Sequence, residues 1–298
     1  MDVAAARMAS QGLIAPVGTS LEVVRRLVGL QAQDEWVAKY ALRPRATSVD
    51  ESGLIKTWLM RGTLHVVAKQ DVRWLLDLLG PRFIARQRGR RHQLGLTDEL
   101  LKEALPIVAD SAPGTREELV AAVRKRGIAV AAGQAEAYLV ATAALSGLIH
   151  RTATGYERLT VKGSPVDDPL TELGRRYLAG YGPAEPEDFA AWSGLSLTDA
   201  RKALAGLEQP SSAKADLPTK MLGHWDPWLL GYKDRSFTLD PAHAKHLQRG
   251  GGFLQPIILV NGRVEGTWSR EGKKIVVTSF GKKLPDLGKE ISSLEAIS

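Results

Sequence analysis

The sequence predicts an α+β chain in which tandem helix–turn–helix units are followed by an antiparallel sheet. Three observations carry this expectation. Capping-box signatures, Thr19-x-x-Glu22 and Thr115-x-x-Glu118, each open an amphipathic stretch. The order helix, small-residue turn, longer helix, hairpin recurs, and that is the order of a winged helix-turn-helix. After about residue 216, helical periodicity gives way to short apolar runs separated by turn signals.

Four consecutive segments follow from these signals. In residues 1–95, the Thr19-capped helix places Leu21, Val24, Leu27 and Val28 on one stripe. A second helix is expected through Leu54, Ile55, Trp58 and Leu59, then a strand over 62–67. In residues 96–166, a helix from Thr115 to about Arg126 is followed by a turn at 127–133 and a helix over 134–147. Strands at 148–151 and 156–161 then flank Ala153-Thr154-Gly155. In residues 167–217, Pro186 opens a helix with Phe189, Ala190 and Trp192 on its apolar face. Gly194 turns the chain there, and Ser196-x-x-Asp199 caps a helix carrying Ala200, Ala203, Leu204 and Leu207. Leu217 and Pro218 mark the last junction. In residues 218–298, apolar runs at 225–230, 237–239, 256–260, 264–268 and 274–278 read as strands closing a small antiparallel barrel, with Asn261-Gly262 as a type I′ hairpin turn.

Composition narrows the chemistry. The 298 residues include no cysteine, which excludes disulfides, zinc–thiolate sites and thiol nucleophiles and suits a reducing cytoplasm. No run reaches the roughly 18 apolar residues of a membrane span. The first thirty positions carry Asp2, Arg7, Glu22, Arg25 and Arg26 where an export signal needs an apolar run, so a cytoplasmic protein without a membrane partner is expected. A formal charge of +7 favours an anionic partner. Arg82, Arg86, Arg88, Arg90 and Arg91, followed by His92, concentrate that charge and suit phosphate contact that weakens as salt rises; a solvated helix end is the plainer use. Lys273, Lys274, Lys282 and Lys283 are weaker signals of the same kind.

The segment with the clearest chemical character is Leu30-Gln31-Ala32-Gln33-Asp34. Extending the Thr19 helix stripe by three residues from Val28 lands on Gln31, an amide where an apolar side chain is expected. If the chain is extended there, Gln31 and Gln33 point to one side while Ala32 and Asp34 point to the other. A glutamine carbonyl can accept a hydrogen bond from a water and orient its lone pair, while the amide nitrogen donates to sugar or phosphate oxygen. The alternative is two amides satisfying backbone groups at a helix end. His243-x-x-His246 has no third ligand at suitable spacing, and Gly250-Gly251-Gly252 is not followed by phosphate-loop lysine and serine, so neither a metal nor a cofactor is expected.

Residues 29–34, 58–65, 225–235 and 260–268 together resemble the AlkZ/YcaQ family of bacterial DNA glycosylases, in family order across almost the whole chain. The resemblance implies tandem winged helices around a C-shaped cleft, braced by a carboxyl-terminal β-barrel. It implies excision of N7-alkylated guanine from double-stranded DNA, including bulky natural-product adducts and, in some members, unhooking of interstrand crosslinks. The family's catalytic motif falls on Gln31-Ala32-Gln33 and marks the AlkZ branch, associated with self-resistance to alkylating antibiotics; the other branch has Asp where Gln33 stands. Within the matched segments Arg61 and His65 are expected at DNA phosphates, whereas without the resemblance a partly buried strand histidine bonded to backbone groups is the better account of His65. Asn261 and Arg263 lie at a hairpin that either probes a DNA groove or is an exposed barrel turn. Asp226, Asp234 and Arg235 are expected to form a structural carboxylate–guanidinium network.

A monomer without cofactor is expected to act on such a lesion. No aromatic cage is legible, which suits an open cleft better than a pocket for a flipped base. The competing readings are a non-catalytic winged-helix DNA-binding or regulatory protein, in which the glutamines merely pack, and a protein-interaction scaffold, which would show no salt-sensitive DNA affinity.

Overall fold

The computed structural model describes residues 2–211, 216–248, 250 and 252–297, so Gly251 of the triple-glycine run lies outside the described residues. The chain forms two compact units, one made of Met1–Ser52 with Leu170–Ser298 and the other of Gly53–Pro169.

In the first unit, Asp2 caps helix Val3–Ser10 and Thr19 caps helix Ser20–Arg26 through a full capping box. That helix stops well short of Gln31. Val28 takes a left-handed φ of 57° and Gly29 a φ of 106°. The Gly29 N–H returns to the Val24 carbonyl at 2.8 Å and the Val28 N–H to Arg25 at 3.3 Å, the bond pattern of a Schellman terminator. The helical stripe expected to continue to Gln31 is therefore broken, and Leu30–Gln31 is extended. Asp34 then caps the next helix, Glu35–Leu42.

Helices Pro169–Tyr181, Pro186–Ser193 and Leu197–Leu204 follow in this unit. Pro186 sits in the first turn, Gly194 ends its helix in the left-handed region, and the Ser196 hydroxyl accepts from the Asp199 N–H, as their residue types predict. Gly180 is required by packing. A Cβ there would lie 2.3 Å from the Arg26 carbonyl oxygen, so the end of helix Pro169–Tyr181 touches the end of helix Ser20–Arg26 directly.

The carboxyl-terminal strands differ from expectation. Lys274–Ser279, Arg263–Glu271, Ile257–Val260 and Lys220–Leu222 form an antiparallel sheet in that order. The sheet is open, with its first and last strands as edges, and the closed barrel is not formed. Two of the apolar runs are missing from it. In the first, Asp226 caps Pro227–Leu230, where proline at the first helical position favours a helical turn over a strand. In the second, the Thr238 hydroxyl is buried against the Gly262 carbonyl at 2.7 Å instead of lying in a ladder.

This unit is tied internally by two buried ion pairs. Arg45 donates to both oxygens of Asp226 at 2.9 and 2.6 Å, with both side chains fully excluded from solvent. Arg7 donates to Asp188 at 3.1 Å while its guanidinium lies 3.9 Å from the Tyr232 ring centre. The carboxylate–guanidinium network expected of Asp226 exists, but with Arg45 as its cation. Arg235 instead donates to the Leu229 carbonyl, and Asp234 receives Ser236.

In the second unit, residues 54–58 form a strand, Leu54–Trp58, where a helix was expected. Four apolar residues in a six-residue window fit either period, and here Ile55 and Thr57 alternate inward while the strand pairs antiparallel with Leu64–Ala68. Leu54–Trp58 also pairs with Ile149–Arg151, which pairs with Tyr156–Arg158. Helices Asp98–Asp110, Arg116–Lys125 and Gln134–Leu145 pack around Leu101, Val108, Leu119, Val123, Leu139 and Ala143. Helix Val72–Arg86 reaches the last of these closely at Gly80, where a Cβ would lie 2.1 Å from the Leu145 oxygen.

Removing one member of a buried pair leaves the other charge uncompensated, so Asp226→Ala is expected to cost about 3–5 kcal/mol. The double variant Arg45→Met with Asp226→Leu should recover only part of that loss, because Ala41, Gln11 and the Trp228 N–H each lose a buried partner, as read from urea denaturation midpoints.

Candidate active site and nucleic-acid interface

The glutamine motif is held at both ends. On its amino-terminal side, the Tyr181 hydroxyl donates to the Leu27 carbonyl at 3.1 Å, and Arg26 Nε donates to the Ser10 carbonyl at 2.6 Å. Val28 is a β-branched residue in the left-handed region, a conformation that costs energy and persists only where its surroundings impose it. On the carboxyl-terminal side, Asp34 Oδ1 accepts from the Trp36 and Val37 N–H groups at 2.8 and 3.0 Å, and Oδ2 accepts from His224 Nε2 at 2.8 Å. Between these anchors Gln31 is 8% exposed, Ala32 is buried and Gln33 is exposed.

Asp34 is thereby a structural residue. Partial burial alone would push its carboxyl upward, but the hydrogen bond from His224 and those from the two backbone N–H groups outweigh this and hold it below the ordinary aspartate range. A carboxylate with both oxygens engaged and depressed basicity is a poor proton acceptor.

An aromatic pocket of about 420 Å³ lies on the same unit, a feature the sequence did not make legible. Trp36 and Tyr40 stack at 5.9 Å with their planes 21° apart, and His224 stacks on Phe253 at 5.6 Å and 18°. Tyr40 meets Trp268 edge-on at 5.2 Å. The only hint in the sequence was the four-residue spacing of Trp36 and Tyr40 just after the motif. Trp268 and Phe253 are more than 200 positions away.

The hairpin at Asn261-Gly262 forms as expected, with φ of 49° and 74° at its two turn residues. It does not project as a free ribbon. Gly262 is buried, a Cβ there would lie 3.0 Å from Ala4 and 3.1 Å from Leu217, and its carbonyl accepts from Thr238. Asn261 and Arg263 are exposed, and Arg263 donates to the Ser236 carbonyl at 3.0 Å. His243 and His246 both pack on the Phe280 ring, at 4.7 and 5.1 Å; among the described residues no three metal-ligating side chains cluster.

The other expected DNA contacts lie on the second unit. Arg82 and Arg86 are exposed on helix Val72–Arg86, and Arg88 and Arg90 on helix Arg88–Gln93. Arg88 pairs with Asp98 at 2.7 Å, and Arg90 donates to Gln93 at 3.1 Å and to Gln134. Arg91 departs from the expectation: it is 1% exposed, donates to the Ile84 carbonyl and faces Asp98 at 3.7 Å, so it ties elements of the fold together. Arg61 is partly exposed in the short 3₁₀ turn Met60–Gly62, with a left-handed φ of 57°. That turn lies against Gln87, between Arg86 and Arg88, so Arg61 and the arginine helices share one region. His65 departs as well. It is 3% exposed, and its ring is 2.9 Å from the Thr63 carbonyl through Nδ1.

Burial first, and the neighbouring Arg61 charge second, depress His65 to about 3 against the opposing hydrogen bond to Thr63. It is neutral near pH 7 and offers no cation to a phosphate. The unfolded chain takes up a proton near pH 6.5 while the folded one does not until far lower pH. Its contribution to stability is therefore complete above about pH 6.5 and shrinks as pH falls toward the folded value. His65→Asn should flatten the decline in melting temperature between pH 7 and pH 4, measured beside the parent protein.

The profile of the family described as DNA glycosylase AlkZ-like matches residues 24–291. A relative from Streptomyces sahachiroi, an interstrand DNA cross-link repair glycosylase, is 28% identical over 314 aligned positions covering 87% of this chain and 84% of its own. Among solved structures, the Streptomyces sahachiroi DNA glycosylase AlkZ superposes with a TM-score of 0.75 at 24% identity, spanning 99% of this chain and 96% of that one, which establishes the shared mixed α/β fold. With the match running over most of its length, the chain belongs to the AlkZ-like family of DNA glycosylases.

Proposed function

We propose that this protein is a monofunctional glycosylase that hydrolyses the N-glycosidic bond of N7-alkylated guanine in double-stranded DNA, with Gln31 and Gln33 positioning the attacking water. Bulky adducts and interstrand crosslinks fall within this reading, as do DNA repair and self-resistance to an alkylating antibiotic. The observation that carries it is the Gln31-Ala32-Gln33 motif within a family match over residues 24–291. The Streptomyces sahachiroi relative is described as a cross-link repair glycosylase, which supports the crosslink part.

The chemistry suits two neutral amides. An N7-alkylguanine carries a positive charge, so it leaves readily and needs no strong acid. What remains is to stabilise an oxocarbenium-like sugar and to hold a water against its anomeric carbon. A glutamine carbonyl accepts one water proton in a hydrogen bond and its amide nitrogen donates to an oxygen of the sugar or phosphate. A neutral amide is a weak base, so undamaged nucleotides with poor leaving groups are left alone.

Binding is assigned to tandem winged helices with boundaries near residues 95, 166 and 217, acting as a monomer. Exposed Arg82, Arg86, Arg88 and Arg90, with Arg61, are the phosphate contacts in this reading, and Arg263 is a further exposed cation beside its hairpin.

Release of N7-methylguanine from an alkylated duplex tests the proposal. Gln31→Ala and Gln33→Ala should each slow release by about 100-fold or more, by analogy with losing one preorganised transition-state donor, while leaving duplex affinity nearly intact. Parent-like rates in both variants would remove these residues from the reaction. Replacing Arg82, Arg86, Arg88 and Arg90 should reduce the slope of log affinity against log salt by about 0.9 for each phosphate no longer neutralised. Arg91→Ala should instead reduce stability, as its buried contacts require.

A further inference from the structure

We propose that the pocket formed by Trp36, Tyr40, His224, Phe253 and Trp268 binds an uncharged planar aromatic substituent of a bulky guanine adduct, and so selects which lesions are processed. This role presupposes the glycosylase activity proposed above and specifies its substrate class.

Three features point to this occupant. The first is the lining. Two stacked ring pairs, Trp36 with Tyr40 and His224 with Phe253, meet through an edge contact of Tyr40 on His224 at 5.9 Å, and Trp268 joins Tyr40 from another side. Ring faces attract flat π systems by offset stacking or edge contact, and Gln255, Ser269 and Arg270 complete the lining with polar groups. The volume of about 420 Å³ falls in the range of pockets that enclose a small organic ligand.

The second is the link to the motif. Gln33 and Trp36 are three residues apart, so their Cα atoms are separated by at most about 11 Å. Asp34, next to Gln33, both caps the helix carrying Trp36 and Tyr40 and bonds His224 of the pocket wall. One carboxylate therefore sets the pocket's position relative to the reacting segment.

The third is charge. The Arg270 guanidinium carbon lies 5.2 Å from the Trp36 ring centre and Lys39 Nζ 5.6 Å from it. Two cations on one ring oppose a third, which disfavours the positively charged N7-alkylguanine base as occupant. A neutral aromatic group attached to that base meets no such penalty. The base can then remain near Gln31 and Gln33 while its substituent enters the pocket.

The test compares duplexes carrying N7-methylguanine, N7-anthracenylmethylguanine and N7-cyclohexylmethylguanine, with the parent protein beside Trp36→Leu and Phe253→Leu. Losing one stacking partner should slow release of the anthracenylmethyl base by about tenfold. Release of the methyl and cyclohexylmethyl bases should stay within about twofold of the parent, which also shows that the variants are folded and active. An equal loss on all three substrates, or no loss on any, would overturn the assignment. If the parent protein releases none of the bases, the glycosylase reading fails, and the pocket is judged separately by titrating free N7-anthracenylmethylguanine and free N7-methylguanine against tryptophan emission. Saturable quenching by the anthracenylmethyl base, weakened in Phe253→Leu, would uphold the pocket; no quenching, or equal affinity for the methyl base, would refute it.

Discussion

The buried pairing of Arg45 with Asp226 is the constraint on which the first unit depends. Two charges removed entirely from water need close partners, and here both terminal nitrogens of Arg45 and both oxygens of Asp226 are engaged, while Arg45 Nε is buried without a partner. Besides both carboxylate oxygens, the guanidinium donates to the Ala41 carbonyl and to Gln11, while Asp226 receives the Trp228 N–H and so starts a helical turn. Gln11 donates to the Tyr232 hydroxyl, Tyr232 to the Tyr181 carbonyl, and the Tyr181 hydroxyl to the Leu27 carbonyl. A continuous polar path thus runs from the ion pair to a carbonyl four residues before Gln31. Segments 181 positions apart in the chain are held together by these buried bonds.

The glutamine segment owes its form to this support. A helix terminator at Val28 is unfavourable for a β-branched residue, and it is held by close packing of the Gly180 backbone on Arg26 and by the Tyr181 bond. Three residues after Gln31, Asp34 uses both oxygens to fix the next helix and His224. The motif is a short extended piece between two anchored ends.

Much of the local structure was legible. Thr19, Thr115 and Ser196 cap their helices because a side-chain oxygen satisfies an orphan N–H wherever the following residues can turn, which is a property of neighbours in sequence. Asn261-Gly262 makes its hairpin for a similar local reason. Structure and expectation part where two local patterns compete. Leu54–Trp58 is a strand because partners existed to pair with it, and Pro227–Leu230 is a helical turn because Asp226 and Pro227 start one. Five arginines between 82 and 91 look alike in sequence, yet Arg91 is enclosed by Ile84 and Asp98 while the others remain at the surface.

By itself, then, the sequence determined the capped helices, the carboxyl-terminal hairpin, the basic character, the absence of thiol chemistry and the paired glutamines, all of which depend on residue type and short spacing. Only the tertiary structure decided that the sheet stays open, that His65 is neutral, that Asp34 is a cap, and that Trp36 and Tyr40 meet His224, Phe253 and Trp268 around one pocket. The physical reason is that burial, desolvation and ring contact depend on what the rest of the chain brings alongside, and side chains about 200 positions apart carry no mark of that meeting.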